Sequence, residues 1–211
     1  MRMLLLISGG IDSPVAGALA LKAGHEIAAV HFHNKPFTDE LNRQKAMDAL
    51  QILAKIFNKP IRLYIINHGL ALVEIARNCE RKMNCVLCRR IMLRVASRIA
   101  EQEKCEALLT GESLAQVASQ TLWNLQAEHS ASSKTIVRPL LGMDKSEITR
   151  LAQEFGTFNN SIKPAMCCSI VPSQPATHAS IGQAEGEEKK LDLDAIVQKA
   201  LESTEVIDIK P

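Results

Sequence analysis

The sequence predicts an α/β fold: a parallel five-stranded sheet with helices on both faces, followed by a C-terminal helical tail. Three observations carry that expectation. Short apolar runs alternate with segments of helical period from residue 2 to about 156, the pattern of strand–helix units whose sheet is covered on both sides. Hydrophobic residues make up 46% of the 211-residue chain, enough to fill a two-sided core. A glycine pair, in "SGGIDS" at 8–13, lies directly behind the first apolar run, where a strand would turn into a helix.

Residues 2–7 read as a buried strand that stops at Gly9–Gly10. Residues 13–23 read as a helix with Ser13 or Asp12 near its N-cap, Pro14 in its first turn and Gly24 at its end. A second strand follows at 26–32, then a helix over 38–57 with Ala46, Leu50, Leu53 and Ala54 on one face. Residues 61–67 make a third strand, with helices expected at 70–80 and 86–102. The fourth strand is expected at 106–112, a partly helical stretch at 113–125, and the fifth strand within "TIVRPLL", 135–141. Residues 144–156 run from an aspartate cap to a glycine stop. The segment 174–194 turns polar and small, which reads as a loop or linker. A last helix at about 192–203 and "VIDI" pack either onto the domain or onto a partner.

The net charge is only +2, so global charge does not point to nucleic acid. Aromatic residues at 3% argue against a sheet that stacks bases on its face. "MRMLLLISGG" is too short to span a bilayer, is soon interrupted by Gly9, Gly10 and Asp12, and lacks a signal-peptide cleavage site. The expectation is therefore a cytoplasmic protein with no membrane partner. Six cysteines in a reducing compartment direct attention to their spacing.

Two features carry chemistry. After a strand, "SGGIDS" offers exposed backbone N–H groups at a helix N-terminus, a site for an anion. Gly9 and Gly10 let the backbone approach a phosphate, Ser8 and Ser13 add hydroxyls, and Asp12 can hold a metal ion or position the loop. The loop is neither a Walker A motif nor a dinucleotide-binding glycine motif. Cys85 and Cys88 form a C-x-x-C and Cys167 and Cys168 an adjacent pair, whereas Cys79 and Cys105 read as ordinary buried thiols. A C-x-x-C suits a redox dithiol, half of a zinc site or part of an iron–sulfur site. Seven basic residues, Arg77, Arg81, Lys82, Arg89, Arg90, Arg94 and Arg98, surround it against one acid, Glu80, a field expected to lower the thiol pKa. The same segment reads as a path for RNA or as a solvated helix face.

"SGGIDS" resembles the pyrophosphate loop of the N-type ATP pyrophosphatases. With "HFH" at 31–33, "CVLCRRIM" at 85–92, "TGESLAQVASQTLWNL" at 110–125 and "IVRPLLGMDKSEI" at 136–148, residues 3 to about 177 resemble the catalytic domain of the tRNA 4-thiouridine synthetase (ThiI) family. The resemblance implies an adenine nucleotide alpha hydrolase-like, Rossmann-like domain over 1–176, with 177–211 as a linker and helical tail. It implies an ATP site in which Ser8, Gly9, Gly10, Asp12 and Ser13 grip the β- and γ-phosphates with Mg2+. Leu5 and Leu6 would border the loop, His31 and Phe32 meet the adenine, Arg89 approach the phosphates, and Gly111 and Gln120 close the site. Ser8, His31 and Gly111 all fall at expected strand ends, where a parallel sheet binds its ligand.

The "PAMCCSIVPSQPAT" segment resembles the place where the family carries a catalytic cysteine. Some members use it with a persulfide delivered by a rhodanese domain, which is not expected within these 211 residues. Members with a C-x-x-C and this third cysteine are linked to an iron–sulfur cluster. The resemblance thus implies Asp12, Cys85, Cys88, Cys167 and Cys168 as catalytic positions. Cys85, Cys88 and Cys168 would be cluster ligands, with Cys167 as the alternative third. The implied reaction adenylates a uridine carbonyl oxygen, releases pyrophosphate, and replaces that oxygen with sulfur from sulfide or persulfide to give 4-thiouridine. Family members hold tRNA with an N-terminal ferredoxin-like domain and a THUMP domain, whereas residue 1 here already begins the first strand. A separate RNA-binding protein, a second subunit in a homodimer, or a substrate other than tRNA would answer that departure. Two other readings stand beside the first: thiolation of a small molecule or sulfur-carrier protein, and a non-catalytic nucleotide-binding or iron–sulfur regulatory subunit.

Overall fold

Strand β1 (Arg2–Leu6) is short, apolar and central, and its neighbours explain why. It pairs in parallel with β2 (Glu26–His33) on one side and β4 (Ala107–Leu109) on the other, so both edges and both faces are covered. β2 pairs with β3 (Ile61–Asn67), and β4 with β5 (Thr135–Val137), all parallel. The computed structural model describes residues 1–114 and 120–211.

The expected five parallel strands form, but the sheet has six strands, ordered β5-β4-β1-β2-β3-β6. The sixth, β6 (Glu205–Ile209), contains "VIDI" and pairs antiparallel with the otherwise open edge of β3, from Ile61↔Ile209 to Ile65↔Glu205. An edge strand with unpaired backbone groups is a liability, and the chain's own C-terminus covers it. The segment read as a loop or linker also holds a helix, α8 (Ile181–Glu188), started by a capping box between Ser180 and Gln183.

Side chains alternate across β1. Met3 and Leu5 join the core beneath α1 (Asp12–Lys22), α2 (Glu40–Phe57) and α6 (Lys145–Glu154). Leu4 and Leu6 join the core beneath α3 (Gly69–Asn78), α4 (Asn84–Gln102), α5 (Leu122–His129), α8 and α9 (Leu193–Glu202). The short α7 (Phe158–Ser161) packs against α2 and α6. The expected helical stretch at 113–125 is realised from Leu122 onward, and its residues 115–119 lie outside the described residues. Asp144 caps α6 through a capping box with Glu147, as its sequence suggested. No helix among the described residues is long and apolar enough to cross a membrane.

The strand order reverses at β1: β2 and β3 lie to one side, β4 and β5 to the other. In open parallel sheets such a reversal leaves a crevice beyond the carboxyl ends of the strands, where ligands bind.

Candidate nucleotide and sulfur-transfer site

The loop after β1 is tied into a closed turn by its serines. The Ser8 N–H donates to Ser13 Oγ at 2.8 Å, the two hydroxyls lie 3.0 Å apart, and the Gly10 N–H reaches Ser8 Oγ at 3.3 Å. Ser161 Oγ braces the outside of the turn by donating to the Gly10 carbonyl at 3.3 Å. Among the described residues no side chain caps the N-terminus of α1, so its first-turn donors and the positive end of its dipole are left for an anion. Gly9 is packed so closely that a Cβ would sit 3.2 Å from the Asn42 carbonyl oxygen and from Lys45 Cβ. Asp12 opens the helix with its carboxylate 2.7 Å from Lys145 Nζ, both side chains partly exposed.

The other strand ends converge there. His31, at the end of β2, is buried and donates from Nδ1 to the Ile7 carbonyl at 3.0 Å. Burial pushes its pKa down to about 4, so the ring is neutral and Nε2 is left as an acceptor. Leu5, Leu6 and Phe32 are core residues, and Phe32 meets His68 edge-on with centroids 5.4 Å apart. Gly111 leaves β4 against the first turn of α1, and Gln120 sits half-buried just before α5.

Sequence reasoning missed a buried charge cluster behind this crevice. Glu112 pairs with Arg89, accepts from Arg138 Nε at 2.6 Å, and accepts from Thr110 Oγ1 at 2.9 Å. Burial opposes its charge, but Arg89 and Arg138 over-compensate and hold its pKa down to about 2. Glu128 lies 3.7 Å from Arg89 Nε, and there burial wins, raising the carboxyl to about 8. "GES" after the fourth strand was the one local signal for Glu112; Glu128 carried none.

This cluster corrects one expectation. The basic field around Cys85 and Cys88 is largely neutralised: Arg89 by Glu112, Arg90 and Arg94 by Glu188 at 2.7 and 2.9 Å, and Lys82 by Glu80 at 2.8 Å. Burial then dominates and raises both thiols, Cys88 to about 12. Cys88 Sγ lies 3.3 Å from Nε2 of His68, a wholly buried ring whose Nδ1 has no partner among the described residues.

The adjacent cysteines part company. The loop carrying them is strapped over the start of α2: Asn42 Nδ2 donates to the Met166 carbonyl at 2.8 Å, and the Met166 N–H donates to Asp39 Oδ2 at 2.9 Å. Cys168 is half-buried and packs on the same apolar cluster as Cys88. Cys167 is exposed. All six cysteines are free; Cys105 is buried and Cys79 half-buried. Among the described residues no three His, Cys, Asp or Glu side chains gather tightly enough to hold a single metal ion. A multi-iron cluster asks something different, because each thiolate binds its own iron, and the three thiols fit that donor chemistry.

A doubly wound sheet with an uncapped, serine-tied glycine turn at its reversal point defines an adenine-nucleotide-binding domain of the PP-loop kind. The chain belongs to the ThiI family: the family model described as thiamine biosynthesis protein (ThiI) matches residues 1–193. It is 41% identical over 212 residues to a probable tRNA sulfurtransferase of Moorella thermoacetica, covering 100% of this chain and 54% of that protein. A probable tRNA sulfurtransferase of Finegoldia magna is 40% identical over 211 residues, covering 99% and 54%. The chain thus spans about half the length of the curated relatives it matches. A 4-thiouridine synthetase crystallised with RNA and bound ATP superposes with a TM-score of 0.95 at 40% identity, covering 99% of this chain and 55% of that one. An NMN synthetase of Francisella tularensis shares the fold alone, with a TM-score of 0.54 at 19% identity over 96% of this chain and 80% of that one.

Proposed function

We propose that this chain is the catalytic domain of a cytoplasmic ATP-dependent tRNA sulfurtransferase that makes 4-thiouridine. The observation that carries the reading is the uncapped N-terminus of α1 behind the Ser8–Ser13 turn. A triphosphate seated there receives the backbone N–H groups of Gly9 and Gly10, both serine hydroxyls and the helix dipole. Leu5 and Leu6 border the turn, and His31 and Phe32 lie on the strand that faces the adenine. Gly111 and Gln120 close the opposite side, and Arg89 stands where a phosphate can compete for it with Glu112. Asp12, partly exposed at the turn, is the residue to hold Mg2+, which when bound neutralises charge on pyrophosphate.

The chemistry follows from the poor leaving ability of a carbonyl oxygen. The uridine O4 attacks the α-phosphorus of ATP, and the bond from that phosphorus to the β-phosphate oxygen breaks. O4 is now part of AMP, and pyrophosphate departs from the α1 N-terminus. A sulfur nucleophile then adds at C4, the C4–O4 bond breaks, and AMP leaves with the oxygen. Cys85, Cys88 and Cys168, with Cys167 as the alternative to Cys168, are the residues for the sulfur. They would either hold an iron–sulfur cluster, which would bind inorganic sulfide, or carry a persulfide on the loop cysteine; in that case the outer sulfur bonds C4, a second thiol attacks the inner sulfur to free the thiocarbonyl, and the disulfide so formed is reopened by an external dithiol.

Pyrophosphate release in the presence of total tRNA tests this. RNA-stimulated release that Asp12→Ala abolishes is expected. Release stimulated instead by a small molecule or a sulfur-carrier protein points to that acceptor, and none at all to a non-catalytic subunit. Iron and labile sulfide measured after anaerobic purification separate the cluster from the persulfide.

A further inference from the structure

Trp123 is the only tryptophan of the chain, and 52% of its surface is exposed. It sits in the first turn of α5 and stacks on His178, with centroids 4.2 Å apart and planes 28° from parallel. His178 is exposed as well. A surface pair of this kind would ordinarily drift between rotamers, but its two backbones are bolted together. Thr121 Oγ1 donates to the Thr177 carbonyl at 2.7 Å, and Asn124 Nδ2 donates to the Ala176 carbonyl at 2.7 Å. The Ala179 N–H returns a bond to Asn124 Oδ1 at 2.9 Å, and Asn124 is wholly buried. A large flat ring held rigidly on a surface is a binding feature, since its ordering is complete before any ligand arrives.

The location identifies the ligand. Trp123 ends the connection that leaves β4 through Gly111 and Glu112, and His178 ends the loop that carries Cys167 and Cys168. The platform thus joins the chain segment that follows the nucleotide side of the crevice to the one that follows its loop cysteines. The Ala176 N–H donates to the Lys82 carbonyl at 2.9 Å, which sets the exposed Arg81 and Lys82 alongside. Arg81 has no carboxylate partner among the described residues. The flanking Thr121, Thr177 and Ser180 are polar, and the exposed Leu122 adds apolar surface beside Leu125, Leu141 and Ile181. A small aromatic face with cations beside it suits a flat base on a phosphate chain better than an apolar peptide, which needs a wider greasy patch.

Resting on the proposed function, we infer that the Trp123–His178 stack is a platform for an unpaired base of the RNA substrate. The open ring face takes the base, and Arg81 takes an adjoining phosphate.

Trp123 supplies its own reporter, because all indole emission comes from it. The whole chain is titrated with total tRNA and with a fluorescently labelled single-stranded RNA, reading indole emission and RNA anisotropy together. Quenching that saturates with the anisotropy change is expected. Trp123→Ala weakens RNA binding by about 5- to 100-fold, Trp123→Phe keeps most of it, and ATP affinity stays unchanged in both. The platform is overturned if wild-type chain binds no RNA, if RNA binds without altering indole emission, or if Trp123→Ala binds RNA as tightly as wild type. Quenching by ATP alone overturns it too, by assigning the stack to a mononucleotide. A wild-type chain that binds RNA in this way but not ATP supports the platform and counts against the proposed function alone.

Discussion

A Cβ added to Gly111 would lie 2.5 Å from the backbone nitrogen of Ser13 and 2.6 Å from its Cα. The end of β4 is thus in contact with the first turn of α1, backbone to backbone, at the point where the sheet order reverses. Neither partner is a flexible side-chain end that could swing aside.

Gly111→Ala is therefore expected to push the β4 exit away from the phosphate turn. Overpacking of this kind costs about 1–3 kcal/mol of stability, and the displaced turn should lose ATP affinity by more than tenfold. Gly142→Ala is the control, because a Cβ there meets nothing within 4 Å. Thermal unfolding and calorimetric ATP titration of both variants check this; wild-type ATP affinity in Gly111→Ala would remove that contact from the site.

What could be read from the sequence was what is local. The strand–turn–helix around Ser8–Ser13 declares itself within a dozen residues, and so does the capped helix at Asp144. β6 does not, because an exposed five-residue strand names no neighbour, and its partner β3 lies about 140 residues earlier. Helix α8 hid in a small, polar stretch, although the spacing of Ser180 and Gln183 is a capping-box signature. The thiol environment failed for the same reason as β6. Arg89 and Arg90 look like a cationic stripe until Glu112 and Glu188, 23 and 98 residues away, are folded onto them.

Glu128 makes stability depend on pH in an unusual direction. Burial, reinforced by the charge of Glu112 and opposed by Arg89, Arg138 and Arg90, raises its carboxyl from 4.5 to about 8. The folded state holds that proton more tightly than the unfolded state. Its contribution is complete below the unfolded pKa and is lost as pH rises through about 8. Glu112 runs the other way: its contribution is present above the ordinary carboxyl range and lost as pH falls toward about 2. Unfolding free energy from urea titrations should therefore decline between about pH 5 and about pH 8, and Glu128→Gln should flatten that decline. An unchanged slope in the variant would place the titration elsewhere.

The cysteines should separate by reactivity. Cys167 is exposed, Cys85 and Cys168 are half-buried, and burial raises the Cys88 thiol to about 12. At neutral pH such a thiol holds on the order of a thousandfold less thiolate than an ordinary one. Timed alkylation of the apo protein at about pH 7.5, read by peptide mass spectrometry, should label Cys167 first and Cys88 last. Cys88 reacting ahead of Cys167 would show that the surrounding arginines, rather than burial, govern the C-x-x-C.

The C-terminal segment should prove indispensable to the fold through one ion pair. Arg90 and Glu188 are 1% and 4% exposed and meet in a two-pronged contact, Nε to Oε1 at 2.9 Å and Nη2 to Oε2 at 2.7 Å. Arg94 adds a second cation to the same carboxylate, and Arg90 also donates to the Ala127 carbonyl and to Ser130 Oγ at 2.7 Å. Glu188 thus ties α8 to α4, and Arg90 in turn ties α4 to α5. Glu188→Ala leaves the Arg90 charge buried with no carboxylate, and breaking such a pair costs about 3–5 kcal/mol. Arg90→Met with Glu188→Leu removes both charges and should recover most of the loss, because the desolvation penalty disappears with them. Urea denaturation of the three proteins decides the matter: a Glu188→Ala variant within about 1 kcal/mol of wild type would mean that α8 rests on the surface of the domain instead of closing its core.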